Sequence, residues 1–365
     1  MRILALNSTR AWGGAEVWFS QFCSGMAERG HEVTLACHPN SELQRRFVDH
    51  ERVRTANVAI RAEVNPLRVF QLARLFRRLH PDILVVERPK DVKLSVAATW
   101  LSPSPVIVHA KQYGELLKSR LDYRFFWKRG VKAIVAASVV NRDETIAAAE
   151  WLQDVPIVAI PQATDTERFR PLPEARSQAR DRLQLPADSL VLSYHGRLAP
   201  LKRVDVIIDA VASVSRDVPV HALIIGGGGE METLRSKAQE LSAPVTFLGF
   251  RDDLPELLSA ADVALHLSVV EGGTPFSVIE AMACGLPVIA SDTTSHPEVI
   301  HDGVHGYLVT PDDPEALSSA IRKLLSKPER LRRMGEAARE RAVAEFSIGT
   351  MIDRYDAFLK GLVPI

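Results

Sequence analysis

Two glutamates, Glu271 and Glu280, bracket the start of a helical pattern in the run Glu271-Gly-Gly-Thr-Pro-Phe-Ser-Val-Ile-Glu280, which continues through Ala281-Met-Ala-Cys-Gly-Leu-Pro-Val-Ile-Ala290. Gly272 and Gly273 leave the backbone bare. Thr274 reads as an N-cap, Pro275 suits the first helical position, and Gly285 can end the helix. Carboxylate acceptors and free backbone N–H groups suit neutral hydroxyls such as those of sugars, and a helix N-terminus nearby suits a pyrophosphate. A second loop, Gly196-Arg197-Leu-Ala-Pro-Leu-Lys202, follows the apolar run Leu190–Tyr194. Its planar Arg fork and compact Lys charge can converge on one anion.

Glycine-rich turns follow other apolar runs. Trp12-Gly13-Gly14-Ala15-Glu16 lies just after the first, where bare backbone lets a ligand approach and the following helix offers free N–H groups. It lacks the spacing of a dinucleotide fingerprint. Ile224-Ile-Gly226-Gly-Gly-Gly229 runs into a further helix pattern and reads partly as a device for close packing, and Phe247-Leu-Gly249-Phe250-Arg251 closes another strand. His109 ends the run Val106–Val108; a lone histidine at such a place is more often packed or capping than functional. The glutamates do not read as a glycosidase pair, because that chemistry leaves the Arg, the Lys and the glycine turns unexplained. There is no Asp-x-Asp for a metal-diphosphate clamp, and Cys23, Cys37 and Cys284 form neither a CxxC nor a zinc pattern, so no metal is expected and a reducing compartment is.

The elements that must position these residues are short β-branched runs alternating with helical patterns. Strands are expected at Arg2–Leu6, Glu32–Ala36, Ile83–Val86, Val106–Val108, Ala133–Ala136 and Ile157–Ile160, then at Leu190–Tyr194, His221–Ile225, Thr246–Leu248, Val263–Leu267, Pro287–Ala290 and Gly306–Val309. Helix patterns such as Glu16–Arg29, Leu67–Leu79, Val204–Ser215 and Pro314–Leu325 separate them, and a long polar helix, Glu329–Glu345, is followed by a break at Phe346–Gly349 and a last helix, Met351–Leu362. Such alternation argues for α/β architecture with parallel sheets covered on both faces. The 365 residues, 46% apolar, suffice for two domains, and the proline-rich segment Pro161–Pro173 marks their boundary. Residues 1–162 carry 23 Lys+Arg against 16 Asp+Glu and the remainder 22 against 29, so the first half is the one suited to an anionic surface.

The glutamate run, the Gly196-Arg197-Leu198-x-x-x-Lys202 loop and the Gly13–Glu16 turn resemble the motifs of the large retaining family of GT-B glycosyltransferases, of group 1 or family 4 type. The match covers nearly the whole chain and is strongest over residues 190–310. The resemblance implies a GT-B fold of two Rossmann-like, doubly wound parallel-sheet domains facing across a cleft. Residues 1–162, with a C-terminal helix of about 350–365, would form the acceptor-side domain, and 163–349 the nucleotide-sugar domain.

It also implies roles. Arg197 and Lys202 would neutralise the donor diphosphate, Glu280 would hold the ribose hydroxyls, Glu271 the hydroxyls of the transferred sugar, and His109 would reach that sugar. Gly13 and Gly14 would lie against the donor phosphates and acceptor, Gly196, Gly249 and Phe250 beside the nucleotide, and Gly273, Thr274 and Phe276 would add backbone contacts. Two departures stand out. Eight residues separate the glutamates where the family has seven, and Ala110-Lys111 follow His109 where the family has an acid. The extra residue can sit in the Gly272–Thr274 loop.

The implied activity is retaining, metal-independent transfer of a sugar from a nucleotide diphosphate sugar to a glycan or lipid-linked acceptor, in synthesis of bacterial cell-envelope polysaccharide or lipopolysaccharide. No cofactor and no protein nucleophile are expected. A nucleotide-sugar epimerase of similar fold and a non-catalytic sugar-nucleotide-binding subunit remain as alternatives; the presence of all four of Arg197, Lys202, Glu271 and Glu280 argues against the latter.

Lys111–Lys132 carries seven basic residues against two acidic ones, interleaved with Leu116, Leu117, Leu121, Phe125, Phe126 and Trp127. A basic amphipathic helix of this kind can lie on an anionic membrane; the alternative is a helix burying its apolar stripe on the sheet. No nucleic-acid motif accompanies the charge. The opening Met1-Arg-Ile-Leu-Ala-Leu-Asn-Ser has too short an apolar run for a signal peptide, and no stretch reads as a membrane span. A cytoplasmic protein is expected, with peripheral attachment to the inner face of the cytoplasmic membrane as a hypothesis.

Overall fold

The structure, a computed structural model, describes residues 1–60, 65–112, 114, 116–325 and 327–363. It divides into two compact units, Met1–Gln162 with Ile348–Ile365, and Ala163–Ser347.

In the first unit seven strands form one parallel sheet: β1 (Arg2–Asn7), β2 (Glu32–Cys37), β3 (Val53–Asn57), β4 (Ile83–Val86), β5 (Val106–Lys111), β6 (Val131–Ala136) and β7 (Ile157–Ala159), in the order β3-β2-β1-β4-β5-β6-β7. Helices cover both faces of such a sheet, so its inner strands need apolar residues at nearly every position. All of β4 and every residue of β1 after Arg2 are buried. The edge strand β3 has no such run. Val-Arg-Thr-Ala-Asn buries only Val53 fully, and the sequence pattern passes over it.

The second unit repeats the plan with β8 (Leu190–His195), β9 (Val220–Ile225), β10 (Val245–Gly249), β11 (Val263–His266), β12 (Val288–Ser291) and β13 (Gly306–Val309), all parallel, ordered β10-β9-β8-β11-β12-β13. Strand order reverses beside β1 and β4 in the first sheet and beside β8 and β11 in the second. At such switch points the connections diverge to opposite faces and leave a crevice at the carboxyl ends of the strands.

The expected break at Phe346–Gly349 shrinks to Ser347, between helices Pro328–Phe346 and Ile348–Leu362. Pro364 and Ile365, expected to extend the last helix, lie outside the described residues. That helix packs on Gly14–Glu28 of the first unit. Tyr355 meets Trp18 and Phe22 with ring centroids 5.5 and 5.2 Å apart, and His31 Nε2 contacts Asp356 Oδ1 at 2.8 Å. A β-carbon on Gly25 would come within 2.4 Å of the Ile352 side chain, so the glycine sets how closely the two helices approach. No helix among the described residues is long and apolar enough to cross a membrane.

Candidate active site

The glycine turns of the second unit lock three strand ends together. Gly196 N–H donates to Ile225 O at 3.0 Å, Leu198 N–H to Gly227 O at 2.9 Å, and Gly226 N–H to Gly249 O at 2.7 Å. Gly226 has φ +134°, and a β-carbon there would lie 1.9 Å from the carbonyl oxygen of Gly196. No side chain fits, so this glycine is needed for packing. The Tyr194 hydroxyl donates to Arg197 O at 2.9 Å and holds the backbone of the next loop. With its backbone held, Arg197 is exposed and makes no ion pair among the described residues. Arg197 lines a cavity of about 360 Å³ with His195, Gly196, Gly226, Phe250 and Leu254. Phe250, 82% exposed, offers an aromatic face beside the positively φ-configured Gly249.

Glu271 follows β11 across the switch point from that loop. Lys202 Nζ donates to Glu271 Oε1, and His266 Nε2 lies 2.8 Å from the same oxygen. Burial pushes the Glu271 carboxyl up, but the hydrogen bond of His266 and the charge and hydrogen bond of Lys202 outweigh it, and the group is held well below the ordinary carboxylate range. Burial lowers the pKa of His266, with the Glu271 hydrogen bond and charge opposing that shift. His266 Nδ1 in turn lies 2.9 Å from Ser277 Oγ. Glu280 is held separately, its Oε2 3.1 Å from His195 Nε2.

The helix carrying Ser277 and Glu280 runs Phe276–Ala283, one residue later than expected. Pro275, not Thr274, occupies the N-cap position, with φ −68° and ψ 119°. Thr274 is buried, and Ser295 Oγ donates to Gly273 O at 2.5 Å. Proline's fixed φ fits this extended position as well as the first helical one. The helix ends as expected at Gly285 (φ +78°). Leu286 N–H bonds to Ala281 O and Gly285 N–H to Met282 O, closing the last turn. Glu271–Pro275 therefore form a loop ahead of a regular helix, with room for the additional residue.

The ligand atoms of His266, Glu271 and His296 lie within 4.8 Å of one another, a spacing compatible with a bound cation. Glu271 and His266 are already engaged, whereas His296 Nε2 is buried without a hydrogen-bond partner among the described residues. Lys202 places an ammonium on the same carboxylate, and Ser277 takes the second nitrogen of His266.

Gly13, Gly14 and His109 lie in the first unit. Gly13 caps the helix Gly14–Glu28 in extended conformation, and its carbonyl accepts from Val17 N–H at 3.0 Å. A β-carbon on Gly13 would find only ordinary contacts, so sterics do not demand this glycine. His109 lies within β5, not at its end as expected. It is buried, Trp127 Nε1–H donates to its Nδ1 at 3.2 Å, and its Nε2 meets Glu87 O at 2.8 Å. With Nδ1 accepting, Nε2 carries the proton and donates to that carbonyl. Burial lowers its pKa to about 4, so the ring is neutral, with both nitrogens engaged within the first unit.

Lys111–Lys132 is not one helix. Lys111 ends β5, buried, with Nζ 3.1 Å from Asn141 Oδ1; the helix is Leu121–Gly130; and Lys132 belongs to β6. Tyr113 and Glu115 lie outside the described residues. Tyr123 and Trp127 face inward and stack at 4.8 Å. Leu121 and Phe125 face outward, Phe125 edge-on to exposed Trp100 at 5.9 Å and with the Arg129 guanidinium 4.4 Å above its ring.

The sequence reading missed His266, His195 and Ser277. His195 and His266 are the last residues of β8 and β11, the strands that flank the switch point, and that placement was the available signal.

Comparison with known proteins identifies both units. The family profile described as "Glycosyl transferases group 1" matches residues 175–341, and "Glycosyltransferase Family 4" matches residues 12–168. The chain is 36% identical over 203 residues to the putative glycosyltransferase EpsD of Bacillus subtilis strain 168, covering 53% of each; it thus spans about half the length of that relative. It is 28% identical over 353 residues to the lipopolysaccharide core biosynthesis glycosyltransferase LpsE of Rhizobium meliloti strain 1021, covering 94% of each. The Anabaena protein HepE, solved in complex with UDP, superposes with a TM-score of 0.87 at 21% identity, over 99% of this chain and 100% of that one.

Proposed function

Since the chain belongs to the group 1 glycosyltransferases and has their GT-B fold, we propose that it is a retaining glycosyltransferase that moves a sugar from a nucleotide diphosphate sugar to a glycan or lipid-linked acceptor of the bacterial cell envelope. The observation that carries this is the arrangement at the second switch point: an exposed Arg197 on a loop shared with Lys202, and an ionised Glu271 beside that lysine. Arg197 and Lys202 suit a diphosphate, Glu271 the hydroxyls of the sugar attached to it, and Glu280 a ribose. Gly196, Gly249 and Phe250 suit the nucleotide at the cavity, and backbone groups of Gly273, Thr274 and Phe276 suit the sugar. Gly13 and Gly14 suit the acceptor side.

In the reaction, the bond from the anomeric carbon to the β-phosphate oxygen breaks and its electron pair leaves with the nucleoside diphosphate. The acceptor oxygen bonds to that carbon on the same face, and its proton passes to the leaving phosphate. Arg197 and Lys202 oppose the growing negative charge, which lowers the barrier without a metal. The relative LpsE, named for lipopolysaccharide core synthesis, supports an envelope acceptor. HepE, solved with UDP, supports a nucleotide donor.

The test is a thermal-shift panel of uridine, guanosine, adenosine and cytidine diphosphate sugars, with the best donor then incubated with candidate acceptors and EDTA. A donor at about 100 times its Kd stabilises by roughly 2.7 kcal/mol. No shift with any donor overturns the reading. An inverted product anomer removes the retaining assignment, and EDTA inhibition the metal-free one.

A second reading concerns location. The outward Leu121 and Phe125, with Trp100 and Arg129, favour peripheral attachment of the first unit to an anionic membrane. Flotation with anionic liposomes at low salt tests it, and absence of binding sinks it.

A further inference from the structure

We propose that His266 is a positioning residue for Glu271: it holds the carboxylate in place when Lys202 turns to the donor diphosphate, and Ser277 sets the tautomer in which it does so. The proposal rests on the donor-site reading above and assigns a part to residues that reading leaves unused.

Glu271 Oε1 takes two side-chain donors that differ in kind. Lys202 is a cation on a flexible stem, in the short turn Pro200–Lys202, and 24% of its side chain is exposed. An anion entering beside Arg197 competes for that ammonium directly. His266 is the last residue of β11, its register fixed opposite Ala290, and its side chain is only 4% exposed. It cannot follow an incoming phosphate. When Lys202 transfers its contact, His266 remains as the donor to that oxygen.

The hydrogen-bond chain specifies which proton does this. An ionised carboxylate only accepts, so Nε2 carries the hydrogen at 2.8 Å. In the neutral imidazole Nδ1 is then an acceptor, and the Ser277 hydroxyl, 2.9 Å away, donates to it. Ser277 lies in the first turn of Phe276–Ala283, so the same helix that presents Glu280 also orients the support of Glu271. The His296 ring stands edge-on to His266 at 5.1 Å and blocks rotation of the imidazole. The effect is that of an outer partner fixing the orientation of a binding group.

The experiment uses the full chain and measures binding by calorimetry of UDP-glucose and GDP-mannose, each beside its sugar-free nucleoside diphosphate. His266→Ala should weaken the nucleotide sugar that wild type binds by about 10-fold while changing the sugar-free diphosphate less than about twofold. Ser277→Ala should act in the same direction by about threefold, and His266→Gln, which keeps an N–H donor, should recover most of the loss. In a Glu271→Gln background His266→Ala should add nothing.

Equal losses for both ligands, no loss, or full additivity with Glu271→Gln would overturn the positioning role. So would wild-type binding that EDTA abolishes, since His266, Glu271 and His296 would then be a cation site. Should His266→Ala not fold, Ser277→Ala and His266→Gln decide the matter by the same ligand contrast. If wild type binds neither of these sugars nor any donor of the nucleotide-sugar panel, the donor-site reading itself falls and takes this proposal with it; binding with unmoved variants sinks this proposal alone.

Discussion

The two switch points have the same topology and treat buried carboxyl groups in opposite ways. Beside β8 and β11, Glu271 receives Lys202 and His266 and is held ionised. Beside β1 and β4, Glu87 is 97% buried and neither carboxyl oxygen has a hydrogen-bond partner among the described residues. Burial pushes it up to about 8, with the Arg88 guanidinium, 3.6 Å away, opposing the shift. Asp91, also buried, accepts from Ser8 Oγ at 2.8 Å and is still pushed up by burial to about 6. A parallel sheet thus fixes where a crevice lies, and side chains from the adjoining loops decide which charge it carries. The second unit assembles fixed donors and cations for an anion; the first buries acids whose pKa burial raises, Glu87 far enough to stay largely protonated near neutrality.

The contrast can be broken at either end. The largest effect is expected from Arg197→Ala, which should lower the transfer rate by about 10²-fold or more if the guanidinium opposes charge on the leaving diphosphate. Unchanged turnover in a steady-state assay would remove the second unit's side of the comparison. A smaller effect is expected from Glu87→Gln, read in stability against pH. A carboxyl raised from 4.5 in the unfolded chain to about 8 in the fold binds more protons folded than unfolded between those values. Its contribution is therefore fully present below about pH 4.5, falls as pH rises, and levels off above about pH 8. Glu87→Gln should flatten that slope and melt several degrees above wild type at pH 8.5; a variant with the parental slope would show that Glu87 is not a buried acid of this kind. The smallest effect on chemistry is expected from replacing Leu121 and Phe125 together by glutamate. Liposome flotation should be lost while binding of a soluble nucleotide sugar changes less than about twofold. A parallel loss of donor binding would mean that the surface of the first unit and the site of the second are not independent.

What was legible in the sequence follows the same division. Arg197, Lys202, Glu271 and Glu280 could be read because each sits at a fixed short offset from a glycine or a strand end, and those offsets survive folding. His266 and Ser277 were passed over because their meaning comes from a hydrogen-bond chain across the strand-to-helix loop, Nδ1 to a hydroxyl and Nε2 to a carboxylate. The surroundings of His109 were hidden for a similar reason. The sequence places it at a strand end, but β5 runs on to Lys111, and Trp127 and the Glu87 carbonyl, 18 and 22 residues away, take both nitrogens. Strands of continuous aliphatic residues were visible because two covered faces demand them. The edge strand β3 escaped because one exposed side leaves Arg54 and Asn57 free to be polar. The Thr274 cap failed by one position because proline's φ serves two adjacent places at a helix start.

The last helix carries a consequence for how the protein is made. Trp18 and Phe22 near the beginning of the chain are covered by Tyr355 near its end, while every residue of the second unit lies between them. A ribosome releases the chain from its beginning, and domains fold largely as they emerge. All of Ala163–Ser347 is therefore available to fold before the helix Ile348–Leu362 exists. Until that helix is released, the aromatic face of Gly14–Glu28 has no cover and is the surface a chaperone or a neighbouring nascent chain would meet. The first unit to begin synthesis is the last to be completed.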